Sequence, residues 1–200
     1  MTDRTPEETQ AFAETTINAF YDAITREEQQ EVESGLKRVL GMNARPAIKI
    51  KRIHVITDLA FRHATGRAAC SRGCSHCCYI AVALTTVEAK AIGEQIGVES
   101  KNIADVAPRD PKSFSRDTPC PFLENDECSI YEHRPLECRA NFNFDRDSYW
   151  CQHENIDKPG AAVPKPMIPQ LGVAYTLVSM CKNAQPTVAD IRDFFPGGKR

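Results

Sequence analysis

The cysteines of this chain are grouped rather than scattered. Seven of the nine fall in two short stretches of sequence. These are Cys70, Cys74, Cys77 and Cys78 in the first group, and Cys120, Cys128 and Cys138 in the second. A packed core needs small apolar volume and has no need of clustered sulfur, whereas converging thiolates bind zinc and iron well. The grouping therefore predicts a site that binds a metal ion.

The Cys74-x-x-Cys77 unit is the strongest local signal in the first group. A gap of two residues allows both sulfurs to reach one ion, as in zinc and iron–sulfur sites. Cys78 follows Cys77 directly, so its side chain leaves the backbone in another direction. This adjacent thiol suits a neighbouring ion, a bridge between two ions or a reactive role better than a place on the same tetrahedral ion.

The second group has wider gaps, and a turn is predicted between its first two members. Cys120 and Cys128 are separated by PFLENDE, in which Asn125-Asp126 favours a turn. That turn would bring the two sulfurs together at the ends of a tight hairpin. Cys138 would supply a third ligand from the segment that follows.

Electrostatic charge limits how many thiolates one ion can take. A divalent ion with four thiolate ligands is doubly negative, and six thiolates would double that excess in a partly buried site. Hence either about four of the cysteines bind one centre, or six or more hold a polynuclear centre. Arg72, Arg134 and Arg139 flank the groups and could offset residual negative charge or bind an anionic ligand.

The remaining cysteines and the histidines are weaker candidates. Cys70 and Cys151 are the next choices as ligands, whereas Cys181 lies on the apolar stripe of a predicted helix and is assigned to the core. We expect His63 to be a satisfied core residue. The histidines expected to face solvent are His76, His133 and His153.

Composition indicates one ordinary globular domain in the cytoplasm. The 200 residues are 42% hydrophobic and 26% charged, and the net charge of −2 gives no support for nucleic-acid binding. No stretch approaches the roughly 18 apolar residues needed to cross a bilayer, and the acidic N-terminus lacks a secretory signal. In reducing cytosol, clustered cysteines are ligands or reactive thiols rather than disulfides.

Periodicity predicts a mainly α fold, a single helical domain with a central loop-rich cysteine and metal core. Residues 1–69 form an N-terminal helical region, residues 70–151 the cysteine core, and residues 152–200 a C-terminal helical segment packing on the same domain. The longer helices are predicted from Pro6, then over about 27–40, 47–64 and 85–97, and around 171–181. Residues 79–84 form a buried strand or extended segment, and 187–195 a short closing helix.

Three stretches carry a resemblance to a known family: Cys74-Ser-His-Cys77-Cys78, then CPFL from Cys120, then CSIYEHRPLECR from Cys128. The pattern resembles the bacterial cysteine-cluster family called CxxCxxCC-type or YkgJ-like, which is described as zinc- or iron-chelating. The resemblance covers about residues 70–140. One departure is that the gap from Cys70 to Cys74 holds three residues. The ligands that the resemblance implies are Cys74, Cys77, Cys78, Cys120, Cys128 and Cys138.

Three functions are consistent with these observations. The first is a metal-binding protein that holds zinc or iron, with an iron–sulfur or polynuclear centre as one form of it. The second is a cluster-dependent enzyme, acting by redox chemistry or S-adenosylmethionine-dependent methyl transfer. The resemblance implies this, because a related domain occurs in flagellin lysine N-methylases, where an iron–sulfur centre is implicated. The third is a zinc-stapled module whose N-terminal helices bind a protein partner.

Overall fold

The computed structural model describes residues 5–103, 118–156, 158, 163–180 and 187–198. In these ranges the chain forms seven α-helices and two sheets of two short strands each. The predicted fold class, a single mainly α domain, is confirmed. No helix in the described ranges combines the length and apolar character needed to span a bilayer.

Capping boxes start the first two helices, α1 at Pro6–Asp22 and α2 at Arg26–Gly41. Thr5 Oγ1 accepts a hydrogen bond from the Glu8 N–H, and the Glu8 carboxylate accepts one from the Thr5 N–H. The same reciprocal pair occurs at the start of α2. These bonds satisfy backbone donors that a helix start leaves without partners. Both predicted helices are confirmed.

The third helix, α3, spans Pro46–Ala60, as the helical stripe predicted. The alternating run around Ile48 does not form a strand. Ile50 and Ile53 are both fully buried, whereas Ile48 lies on the exposed side of the helix. Burial with a spacing of three residues therefore decided the conformation, because one helical face packs into the core.

The larger of two hydrophobic cores joins these helices to the segment after the second cysteine group. Helix α6, at Pro169–Ser179, packs against α2 and α3 and confirms the predicted helix there. Phe144 contacts the Phe20 ring, with centroids 5.5 Å apart, and Phe142 stacks on Phe61 at the same distance. The N-terminal helices and the cysteine region are thus packed on common aromatic side chains.

The smaller core lies beneath the second cysteine group and is built around a pair of strands. β1 spans Ala83–Thr85 and runs antiparallel to β4, Val188–Asp190, with Leu84 opposite Ala189. α4 follows at Thr86–Ile96, and α7 occupies Ile191–Phe194. The helix predicted over 187–195 is therefore wrong for its first half. Pairing with β1, which is remote in sequence, outweighs local helical preference there.

A small hairpin and a short helix carry the second cysteine group. β2 spans Leu123–Glu124, β3 spans Glu127–Cys128, and α5 spans Leu136–Ala140. The predicted turn is confirmed, since Asn125 and Asp126 both adopt positive φ, 50° and 61°. Two left-handed residues in succession give the tight hairpin turn that matches the twist of the strands.

Candidate metal centre

The eight cysteines in the described ranges are all free and half-buried. Cys77 and Cys78 lie in a 3₁₀ helix at His76–Tyr79, Cys138 in α5, and Cys151 ends a 3₁₀ helix that starts at Tyr149. Cys181 falls outside the described residues, so its assignment to the core stays a prediction.

A direct backbone contact links the two cysteine groups. The Cys120 N–H donates to the Cys78 carbonyl oxygen at 2.7 Å. The hairpin then returns the chain, so that Cys128 lies opposite Leu123. Cys120, Cys128 and Cys138 all pack against the smaller core. The fold therefore brings together thiols that are separated by more than forty positions in the sequence.

Arg192 holds the backbone on both sides of this contact. Its Nη2 donates to the Cys78 carbonyl oxygen at 3.1 Å and to the Ile80 carbonyl oxygen at 3.3 Å. Its Nε donates to the Thr118 carbonyl oxygen at 3.0 Å. The Asp190 carboxylate pairs with the same guanidinium at 2.9 Å. A buried arginine from the C-terminal segment thus positions the end of the first group and the start of the second.

Arg139, which follows Cys138, serves the loop before α5. Its Nε donates to the Arg134 carbonyl oxygen at 2.8 Å, and its Nη2 donates to the Glu132 carbonyl oxygen at 2.5 Å. Its Nη1 pairs with Asp58 of α3. Arg139 therefore ties the loop to the helical core, and its guanidinium donors are directed to these oxygens.

Glu88 holds the start of α5 from inside the protein. Its side chain is fully buried, and its Oε1 accepts from the Leu136 N–H at 2.7 Å and lies 2.7 Å from His54 Nε2. Its Oε2 accepts from the Tyr175 hydroxyl at 2.5 Å. Burial and the Glu88 carboxylate raise the pKa of Tyr175, so this hydroxyl stays a donor. Because Leu136 begins α5, this carboxylate positions the helix that carries Cys138.

Mutual electrostatic influence divides the thiols into two sets that share Cys77. In what we call the Cys151 set, burial raises the pKa of Cys70 and of Cys151, and neighbouring thiolate charges add to each rise. The members of this set are Cys70, Cys74, Cys77 and Cys151. In the Cys138 set the same two causes raise the pKa of Cys120, Cys128 and Cys138. The charges of Cys77, Cys120 and Cys128 also act on Cys78. The members of this set are Cys77, Cys78, Cys120, Cys128 and Cys138.

Asn143 connects the two cysteines that sequence reasoning ranked lower. Its backbone N–H donates to Cys70 Sγ at 3.2 Å, and its side-chain Nδ2 donates to Cys151 Sγ at 3.2 Å. The same Nδ2 donates to the Asp147 carbonyl oxygen, and Asn143 Oδ1 accepts from the Asp145 N–H. A buried asparagine held by four hydrogen bonds thus brings Cys70 and Cys151 to one side of the site.

The adjacent pair Cys77 and Cys78 differ sharply in acidity. A hydrogen bond from Cys78 lowers the pKa of Cys77 to about 7, and the same bond raises the pKa of Cys78. Burial raises the pKa of Cys120 to about 11 and holds that of Cys138 well above its usual value. Because metal ligation requires thiolates, binding here would release protons from most of the thiols.

The donor set fits zinc or iron by its chemistry, since thiolates suit both metals. One further observation fits an anionic metal–thiolate centre: Arg134 Nε is buried and has no hydrogen-bond partner. Within the described residues, however, no three Cys, His, Asp or Glu side chains are arranged as ligands of a single ion. The described thiols therefore form two neighbouring sets, but neither set has the arrangement of ligands around one ion. Which cysteines bind the metal stays a prediction.

Two histidines lie beside Cys151, and two others are held by glutamates in the helical part of the fold. His76 and His153 line a cleft of about 110 Å³ together with Cys151. His63 is half-buried and bonded to Glu28 at 2.9 Å, so it is satisfied as predicted. His54, which sequence reasoning passed over, is buried against Glu88.

Sequence reasoning missed Glu88, Asn143 and Arg192 as positioning residues. Only Glu88 carried a signal, because Thr85-x-x-Glu88 has the spacing of a capping box. Thr85 Oγ1 does accept from the Glu88 N–H, but the Glu88 carboxylate turns inward instead of returning to the cap. Asn143 and Arg192 act through contacts across more than seventy residues, which no local pattern reveals.

Comparison with known family models confirms the resemblance over the part of the chain that carries the cysteines. Residues 69–156 match the model of the CxxCxxCC family, described as a "putative zinc- or iron-chelating domain". The match takes in all eight cysteines of the two sets. No curated protein and no solved structure gives a significant match to the chain. The compartment, a protein partner for the N-terminal helices and the choice between zinc and iron stay predictions.

Proposed function

We propose that this protein is a metal-binding protein whose cysteines hold zinc or iron as a thiolate centre. The main ligands in this proposal are Cys74, Cys77, Cys78, Cys120, Cys128 and Cys138. Cys70 and Cys151 complete the Cys151 set. When bound, the metal would neutralise converging thiolates and fix the loops that carry them.

The observation that carries the proposal is the convergence of both cysteine groups on Cys77. The Cys120–Cys78 backbone bond places the second group directly against the first, and thiols of both sets influence one another electrostatically. Eight half-buried cysteines are more than the packing of such a region requires, whereas a centre of more than one ion would use two overlapping sets. Cys77 belongs to both sets, and its pKa is lowered whereas the other shifted cysteine pKa values are raised. It therefore suits the role of a ligand shared by two ions.

Anaerobic purification followed by elemental analysis and a visible spectrum tests the proposal. We expect zinc or iron in a fixed ratio to protein, and more than one ion per chain if both sets are filled. Absorption in the visible range would identify iron–sulfur chemistry, and a colourless zinc protein would exclude it. A folded chain that retains neither metal would overturn the proposal.

Variants separate the two sets. Cys77→Ser should lower the metal content of both sets, whereas Cys151→Ser should reduce only the part held by the Cys151 set. Cys181→Ser is the matched control, because this cysteine lies outside both groups in the sequence. Equal metal content in all three variants would contradict the assignment.

A cluster-dependent enzyme is the second candidate, and a cavity beside α5 favours it. The cavity has a volume of about 710 Å³, within the roughly 300–1,000 Å³ of small-molecule sites. Its wall includes Leu136 and Glu137, which precede Cys138, and apolar side chains of α6 such as Val173 and Leu177. A molecule bound there would contact the short helix that carries Cys138.

The metal-loaded protein decides between the two candidates. Calorimetric titration with S-adenosylmethionine and a reversible redox titration address the two reaction classes separately. Binding or a reversible redox change favours the enzyme, whereas a metal-loaded protein that shows neither is a metal-binding protein without turnover.

A further inference from the structure

Three buried or half-buried arginines surround the thiols, and one of them differs from the others. Arg139 pairs with Asp58, and Arg192 pairs with Asp190, while both also bind backbone carbonyl oxygens. Arg134 Nε, by contrast, is buried and has no hydrogen-bond partner. Among the described residues no carboxylate forms an ion pair with Arg134.

The Arg134 guanidinium is held in place by an aromatic ring. Its central carbon lies 3.9 Å from the centroid of the Tyr131 ring, within the range of a cation–π contact. The backbone carbonyl of Arg134 accepts the 2.8 Å bond from Arg139 described above. The side chain and its loop are thus fixed from two directions, although neither contact supplies a negative charge.

The groups that Arg134 does influence are thiols of the Cys138 set. The guanidinium lies close enough to Cys77 and Cys128 for its charge to act on both. A partly desolvated cation that has no counter-ion within the described part of the chain is unfavourable. A metal ion with four thiolate ligands carries the opposite, doubly negative charge. The guanidinium is therefore complementary in charge to the thiols once they are ionised, as metal ligation requires.

We propose that Arg134 is the counter-cation of the metal–thiolate centre and raises its affinity for metal without binding the metal itself. Tyr131 positions the guanidinium for this role. The inference rests on the proposed function, since it requires that the Cys138 set bind a metal ion. Arg134 would then have an electrostatic role, in addition to the effect of Arg134-Pro135 on the conformation of the loop.

Metal affinity in matched variants tests the inference. Zinc and ferrous iron affinities are measured on metal-depleted protein by competition with a coloured chelator, with circular dichroism as the check on folding. Arg134→Gln should weaken binding by about 10- to 100-fold, the usual effect of losing a partner in the outer shell of a metal site. Arg134→Lys, which keeps the charge, should stay within about tenfold of the wild type.

Arg72→Gln is the control, because Arg72 is exposed and its guanidinium lies farther from the same ring, at 5.5 Å. It should bind metal as the wild type does. If Arg134→Gln fails to fold, Tyr131→Leu tests the same idea, since it releases the guanidinium and should weaken binding in the same direction.

The outcomes distinguish the inference from the proposed function. A wild-type protein that binds neither metal overturns both. If the wild type binds metal and the Arg134→Gln variant binds it with equal affinity, the inference alone is overturned. Saturable binding of inorganic phosphate to metal-depleted protein, abolished by Arg134→Gln while metal affinity is unchanged, would also overturn it, because Arg134 would then serve an external anion.

Discussion

The indole N–H of Trp150 donates a 2.8 Å hydrogen bond to Thr9 Oγ1. Both residues are buried, and Trp150 directly precedes Cys151. The bond therefore attaches the first helix of the chain to the last cysteine of the metal-binding region. Because a buried indole donor needs a partner, the packing of α1 and the position of Cys151 depend on each other.

Thr9→Val should expose this dependence. Valine keeps the shape of threonine but leaves the Trp150 N–H without an acceptor, so we expect the free energy of unfolding to fall by about 1–3 kcal/mol. The chain has a single tryptophan, so its fluorescence follows unfolding in denaturant directly. Thr15→Val, at an exposed hydroxyl that bonds only within α1, should change stability by no more than about 0.5 kcal/mol. Equal effects of the two variants on the free energy of unfolding would show that the Trp150–Thr9 bond does not stabilise the fold.

Glu88→Gln should loosen the start of α5. Glutamine replaces one carboxylate oxygen with an N–H donor. Either the Tyr175 hydroxyl then loses its acceptor, or the contacts of His54 and the Leu136 N–H with the other oxygen are lost. We expect a loss of about 1–3 kcal/mol in unfolding free energy, measured by denaturant titration. Glu94→Gln on the same helix is the control. Glu94 makes only half-exposed ion pairs at 3.8 and 3.6 Å, worth about 0–1 kcal/mol. A Glu88 variant as stable as the Glu94 variant would count against the buried carboxylate as a positioning group.

The hairpin between Cys120 and Cys128 should depend on the residue at position 126. Asp126 has a φ of 61°, which glycine adopts freely and a β-branched residue resists. Asp126→Gly should therefore leave stability unchanged or raised. Asp126→Val should lower it by about 1–2 kcal/mol, because left-handed backbone is strained for such a side chain. Thermal unfolding of the two variants against wild type gives the comparison, and a valine variant as stable as the glycine variant would show that the turn is not strained.

The stability of the metal-free protein should fall at alkaline pH. Burial raises the pKa of Cys120 and of Cys151 from 9.0 to about 11. A raised pKa stabilises the folded state below the unfolded value, and this contribution is lost as pH rises through the folded one. We expect denaturation midpoints to decrease between pH 9.0 and about 11, and Cys120→Ser to reduce that decrease. A flat profile over this range would argue against burial of these thiols.

Cys77 should behave in the opposite sense. Its pKa is lowered from 9.0 to about 7 by the bond from Cys78. Its contribution to stability is therefore present above pH 9.0 and is lost as the pH falls through about 7. The ultraviolet absorbance of thiolate in metal-free protein should show a titration step near that pH. Cys78→Ala should move the step upward, since the donor is removed, whereas an unchanged step would exclude this bond as the cause.

Local signals in the sequence predicted much of this molecule. Thr5 and Thr25 each stand three residues before a glutamate, and the reciprocal bonds that define both helix starts need only those few residues. The Asn125-Asp126 turn was predictable for the same reason, because the two residues tolerate left-handed backbone. Over 47–64 the sequence carries both an alternating strand pattern and a helical stripe. The helical stripe was right, because the buried residues Ile50 and Ile53 follow its spacing.

The sequence by itself determined that the cysteines fall in two groups typical of a zinc- or iron-chelating family, and where the first two helices begin. Only the tertiary structure decided that β4 replaces the first half of a predicted helix, and that Asn143 joins Cys70 to Cys151. It also decided that Arg134, unlike Arg139 and Arg192, pairs with no carboxylate within the described residues. The physical reason is distance along the chain. Caps, turns and amphipathic stripes arise from neighbours, whereas these contacts join segments more than seventy residues apart or depend on which donors the packing leaves unpaired.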